Sequence, residues 1–201
     1  MIWDEIFTAQ EWGRYPPEEL IRFVARHYYK TPNRGNVKVL ELGCGPGANL
    51  WYLAREGFNA WGVDLSEVAI AHAKERLLRE KVEAWLFQES VMEISKNFQL
   101  CTFDAVIDVC CLQHLDSSVD IEAALAGAKA VLKVGGRIFS MLLASGSSDL
   151  PFEKIGQVNR FTLSEVEELF SGFEGIKIGY SERSIEEPGH YVKHWIVEAI
   201  K

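Results

Sequence analysis

Apolar residues recur in two rhythms along this chain. Short apolar runs at 37–42, 60–63, 84–87, 103–109 and 137–143 predict β-strands. Between them the spacing turns helical. Ile70, Ala73 and Leu77 share one helix face, and a second pattern through Ala123, Ala124 and Leu125 is expected to stop near Gly135-Gly136. Ahead of the first strand, Pro16-Pro17 and Glu18-Glu19 mark a helix start, and the pattern runs to Tyr29 before Thr31-Pro32. Strand–helix alternation of this kind predicts an α/β fold with a doubly wound parallel sheet. The last third differs. Residues 145–149 are small and polar, hence a loop, and Thr162-Leu163-Ser164-Glu165 fits a capping box opening a helix through Phe170. Two further strands, 176–180 and 192–199, are joined by residues 186–190 with no room for a helix. They should pair antiparallel. The prediction is a seven-stranded sheet, mostly parallel, with a C-terminal antiparallel hairpin. Residues 1–35 form a helical N-terminal segment and 36–201 the main body of a single domain, without internal repeats.

Composition narrows the function classes. A chain of 201 residues can bury a sizeable core, and 48% hydrophobic with 25% charged residues is ordinary globular usage. No apolar run reaches the length of a membrane span, and Asp4 and Glu5 interrupt any basic-then-apolar leader pattern, so a cytoplasmic protein is expected. The net charge of −8 argues against a broad nucleic-acid surface, while leaving room for a local basic patch. Cys44, Cys101, Cys110 and Cys111 make no C-x-x-C spacing and no His/Cys cluster. They read as free thiols in a reducing compartment, and no metal site is expected, since Asp108 and Asp116 are the only suggestive carboxylates. Cys110 and Cys111 are expected in a strand, facing opposite ways.

The chemistry concentrates where the first strand ends. Val39-Leu40-Glu41-Leu42-Gly43-Cys44-Gly45-Pro46-Gly47 runs from apolar strand through an acid into alternating glycines, with a helix expected over 48–56. Glycines permit the tight turn and let a ligand approach bare backbone, and the helix N-terminus points N–H groups at the same spot. Gly43-Cys44-Gly45-Pro46-Gly47-Ala48 formally satisfies G-x-G-x-x-G/A, so a nicotinamide-dependent oxidoreductase is one reading. Two features point elsewhere. Glu41 sits where a dinucleotide strand is usually apolar, and a carboxylate there suits a ligand carrying positive charge. The chain also closes with a hairpin rather than a second mononucleotide-binding half.

Taken with Gly62-Val63-Asp64-Leu65-Ser66, Phe103-Asp104-Ala105-Val106-Ile107-Asp108, Leu132-Lys133-Val134-Gly135-Gly136-Arg137-Ile138 and Arg160-Phe161-Thr162, this corner resembles the class I S-adenosylmethionine-dependent methyltransferases, in particular small bacterial enzymes acting on small molecules. The resemblance covers the chain from about Val37 to Lys201 and implies a Rossmann-like fold with S-adenosylmethionine as cofactor. It implies that Gly43, Cys44, Gly45 and Gly47 hold the methionine part, with Glu41 near its amino group. Asp64 would take both ribose hydroxyls, beside Leu65, and an ionised carboxylate has acceptor sites for both. The alternative for Asp64 is a helix N-cap, a place Ser66 fits better. Glu89, Ser90 and the backbone of Val91 are the adenine candidates, although the family often has Asp or Asn where Ser90 stands. Asp108 and Val109 would border the cofactor, with Asp108 alternatively capping the next turn. Leu112 would border the acceptor. In related enzymes an N-terminal segment folds over the cofactor. Arg14 and Tyr15 are therefore lid or acceptor candidates, and Trp3 and Phe7 read as packing residues. The stretch 145–159 is a second candidate lid.

The implied reaction is in-line displacement at an activated methyl group, for which proximity and alignment alone supply ~7–11 kcal/mol. A base is required when the acceptor must lose a proton. Of His27, His72, His114, His190 and His194, only His114 follows the fourth strand, so it is the candidate base; the alternative is a histidine that packs or binds cofactor. His72 and His194 read as structural. Partners reduce to a small-molecule methyl acceptor, with no membrane. The atom methylated and the oligomeric state stay open. A methyltransferase-like domain that binds without turnover, or one with a macromolecular substrate, are the remaining readings.

Overall fold

The computed structural model describes residues 2–11, 13–148, 158–184 and 190–201. Seven strands form one sheet: β1 (Lys38–Leu42), β2 (Asn59–Asp64), β3 (Trp85–Gln88), β4 (Phe103–Val109), β5 (Leu132–Leu143), β6 (Glu174–Ser184) and β7 (Tyr191–Ile200). Their order across the sheet is β3-β2-β1-β4-β5-β7-β6. The first five are parallel, and β7 inserts antiparallel between β5 and β6. The expected parallel sheet and terminal hairpin are therefore present. The hairpin connection itself, 185–189, lies outside the described residues, as do 149–157 of the second candidate lid.

Seven helices flank the sheet among the described residues: α1 (Ile2–Ala9), α2 (Glu18–Tyr28), α3 (Ala48–Arg55), α4 (Glu67–Glu80), α5 (Ile94–Asn97), α6 (Ser118–Val131) and α7 (Leu163–Leu169). Burial divides by strand parity. Leu40, Leu42 and Val106 join Ile121, Leu125 and Phe170 in one cluster, while Val39, Ala105 and Ile107 join Phe23, Leu50 and Ile70 in the other. Side chains alternate along a strand, so both faces of the parallel sheet are covered by helices. Caps set the helix starts: Ser66 Oγ accepts from Ala69 N at 3.1 Å, and Thr162 with Glu165 closes the expected capping box before α7.

Three expectations need correction. A helix already forms at Ile2–Ala9, where the sequence pattern offered only a cluster of aromatics. The helix expected to reach Gly135-Gly136 ends at Val131, and those glycines bend the start of β5, with Gly135 at φ +75°. Cys110 and Cys111 lie beyond β4 rather than in it: Cys110 has φ +63° and Cys111 begins the short 3₁₀ turn Leu112–His114. All four cysteines are free.

Candidate active site

The parallel strands end together, and the loops beyond β1, β2 and β4 enclose a cavity of about 630 Å³. Gly43, Gly45 and Gly47 all adopt left-handed backbone, at φ +60°, +50° and +79°. At Gly43 the need is doubled: a Cβ would come within 2.4 Å of Cys111 Sγ. Gly62 on β2 is constrained by space alone: a Cβ would meet Leu50 Cδ1 at 2.4 Å. Its bare backbone lets α3 and the glycine loop settle on the sheet.

Strand parity brings two carboxylates to one face. Glu41 pairs with Gly62, so Glu41 and Asp64 both project on the α3 side. Glu41 is 2% exposed; Asn49 Nδ2, from the first turn of α3, donates to its Oε1 at 2.6 Å. Its Oε2 is buried with no hydrogen-bond partner among the described residues. Burial pushes the Glu41 carboxyl well above the usual carboxylate range, with Asn49 opposing and Asp64 and Asp108 adding to the shift. Asp64 clasps the loop: Gly45 N donates to Oδ2 at 2.8 Å and Ser66 N to Oδ1 at 2.9 Å. Its carboxyl is also raised, chiefly by burial. Ser66 takes the N-cap, which leaves Asp64 turned to the cavity.

The remaining expected residues divide. Gly43, Cys44, Gly45, Leu65, Ser90, Val91, Val109, Tyr15 and His114 line the cavity; Glu89, Gly47, Arg14, Leu112 and Asp108 do not. Asp108 is a correction with a clear cause. It pairs with Leu42 and Ser140 on the opposite sheet face, is fully buried, and accepts from Cys111 N at 2.8 Å, Leu112 N at 3.1 Å and the Ser140 hydroxyl. It builds the turn after β4, and burial pushes its carboxyl up to about 6. Leu112 is fully buried in the core, not at an acceptor surface. Gly47 packs against Ala73 of α4, which a Cβ would approach to 3.0 Å. Arg14 faces a second cavity.

Several cavity residues escaped the sequence reading. Asn49 is one, and a polar residue entering an apolar helix was its only signal. Helix α1 supplies others. Its Asp4 accepts from Ser66 Oγ at 2.6 Å and from Val68 N at 3.4 Å, at the start of α4. That bond holds the Asp4 carboxyl below its ordinary value. Phe7 then lies over the glycine loop, 3.7 Å from where a Gly45 Cβ would be. Trp3 stacks on Phe7 and meets His114 edge-on, at centroid distances of 5.8 and 4.8 Å. His194 of β7 also faces the cavity. Burial, then Arg183, pushes it down to about 4, so it is neutral at neutral pH and a weak proton acceptor. Among the described residues no His/Cys/Asp/Glu group could hold a metal ion, and no helix is long and apolar enough to cross a membrane.

A family profile described as "Methyltransferase domain" matches residues 39–136, the span that contains the glycine corner, Asp64 and β4. This match, the methyltransferase relatives and the structural neighbours support a class I S-adenosylmethionine-dependent methyltransferase. A relative in Haemophilus ducreyi, the ubiquinone biosynthesis O-methyltransferase, is 26% identical over 129 residues, covering 63% of this chain and 55% of that protein. This chain thus spans about half the length of that curated relative. Among solved structures, a SAM-dependent methyltransferase from Methanosarcina mazei superposes with a TM-score of 0.67 at 18% identity, covering 82% of this chain and 92% of the other. Magnesium protoporphyrin IX methyltransferase from Synechocystis, solved with bound SAM, gives 0.66 at 16% identity, over 92% and 78%. At such identities the structural likeness establishes the fold.

Proposed function

We propose that this chain transfers a methyl group from S-adenosylmethionine to a small-molecule acceptor, releasing S-adenosylhomocysteine. The observation that carries the reading is the pair Glu41–Asp64 beside a left-handed glycine loop. A buried carboxylate oxygen without a donor is costly, and a cationic amino group arriving with the cofactor would satisfy Glu41 Oε2. Asp64 keeps acceptor capacity for a ribose diol after its two backbone bonds. Ser90 and the Val91 backbone border the place for an adenine. When bound, the cofactor supplies an already activated methyl on a sulfonium. The chain's own task is then alignment and exclusion of water, which Trp3 and Phe7 serve from above.

His114 stands at the cavity wall against Trp3, and we assign it the role of base when the acceptor carries a proton that must leave. With its pKa near 4, His194 is suited to orient an acceptor rather than deprotonate it. Phenols enter the acceptor panel because the ubiquinone-pathway relative is named for O-methylation. We place the protein in the cytoplasm, a reading that four free thiols support. The test is release of S-adenosylhomocysteine across a panel of small phenols, amines and thiols. Turnover with at least one acceptor, reduced about 100-fold in His114→Asn for a hydroxyl acceptor, is expected. Tight cofactor binding without turnover across the panel would overturn the assignment.

A further inference from the structure

A second cavity, of about 870 Å³, lies beside the glycine corner, between α3, α4 and the N-terminal segment. It shares Phe7, Gly13, Tyr15 and Pro46 with the first cavity but none of that cavity's carboxylates. In a chain of net charge −8, its wall carries Arg14, Arg55, Arg76 and Arg79 against three glutamates. Two of these cations lie over one indole: the Arg55 and Arg76 guanidinium carbons are 5.3 and 5.0 Å from the Trp51 ring centre. Arg14 is paired with Glu11, and Arg79 with Glu80 at 3.8 Å. Among the described residues neither Arg55 nor Arg76 has a carboxylate within ion-pair range. Arg76 donates from Nη2 to the Arg14 carbonyl, and its buried Nε has no acceptor among the described residues. Burial depresses the Arg76 pKa, with Arg79 and Arg14 adding to the effect and Glu80 opposing it. Like charges gathered on one aromatic platform, with donors left over, define a site short of an anion.

We propose that this cavity binds a small multivalent anion, a phosphorylated or polycarboxylate molecule, through Arg55 and Arg76. A long polyanion fits less well, because the chain's overall charge repels it. The inference stands independently of methyl transfer. It is tested by calorimetric titration of the full chain with inorganic pyrophosphate and, separately, citrate, at constant ionic strength held with KCl. The two arms distinguish a phosphate from a carboxylate ligand. Saturable binding of at least one anion is expected, weakened about tenfold in Arg55→Gln and further in the Arg55→Gln/Arg76→Gln double variant. Arg55 is exposed and lies outside the first cavity, so S-adenosylhomocysteine affinity of Arg55→Gln should hold within about twofold, confirming the fold. Heats no different from KCl for both anions, unchanged affinity in Arg55→Gln, or tighter binding of a single-stranded RNA oligonucleotide than of either anion would overturn the proposal.

Discussion

At Glu41 one oxygen is held by Asn49 and the other is left for a donor that the described residues do not supply. Its carboxyl is raised by burial, so removing its charge relieves the folded protein while depriving a cationic ligand of its partner. Glu41→Gln should therefore leave melting at neutral pH unchanged or higher, and weaken S-adenosylhomocysteine binding about tenfold or more in calorimetry. Unchanged affinity would make Glu41 purely structural. Asp108 predicts a pH effect. Its pKa rises from 3.8 to about 6 on folding, so the native state holds the extra proton between those values. The stability this contributes is complete below the unfolded pKa and is lost as pH rises through about 6, up to about 3 kcal/mol. Asp108→Asn keeps the two backbone bonds accepted at Oδ1 without titrating, and its Nδ2 donates to Ser140 Oγ where the carboxyl accepted from it. Denaturant melts from pH 4 to 7 should show the variant gaining on the wild type as pH rises; a constant difference would refute the shift. That Asp64 reaches the cavity was legible from its place at the end of the second strand. Asp108 was misplaced because position in a motif does not give strand parity, and here parity sends it to the opposite face.

Helix α1 is the element that converts an open strand edge into an enclosed cavity. Phe7, 6% exposed, presses on the glycine loop while Asp4 anchors the helix to Ser66. Phe7→Ala should loosen this contact without touching the sheet. Trypsin should then cleave after Arg14 about tenfold faster, with cofactor affinity falling in parallel. Equal cleavage rates would mean that Phe7 does not hold the segment. The strands were readable because buried parallel strands are short apolar runs. Eight residues rich in aromatics gave no such signal for α1, whose helix is held by tertiary contacts rather than propensity. Gly135-Gly136 misled for a related reason: a left-handed glycine serves a strand bend as well as a helix end.

Across the whole molecule, the order β3-β2-β1-β4-β5-β7-β6 places the ends of β1, β2 and β4 side by side, and ligands in such sheets bind beyond those ends. Insertion of β7 beside β5 brings His194 to the same cavity from the far end of the chain, which spacing along the sequence could not reveal. A ligand confined to this cavity stabilises the fold by mass action, so S-adenosylhomocysteine at about 100 times its Kd should add ~2.7 kcal/mol to unfolding. The most direct measurement is calorimetric titration of S-adenosylhomocysteine into the wild-type chain and Asp64→Ala, with NADH as the competing ligand class. One saturable site, weakened at least about tenfold by the substitution and indifferent to NADH, is the predicted result. Equal affinity in both chains, or binding of NADH in its place, would contradict the assignment of this corner.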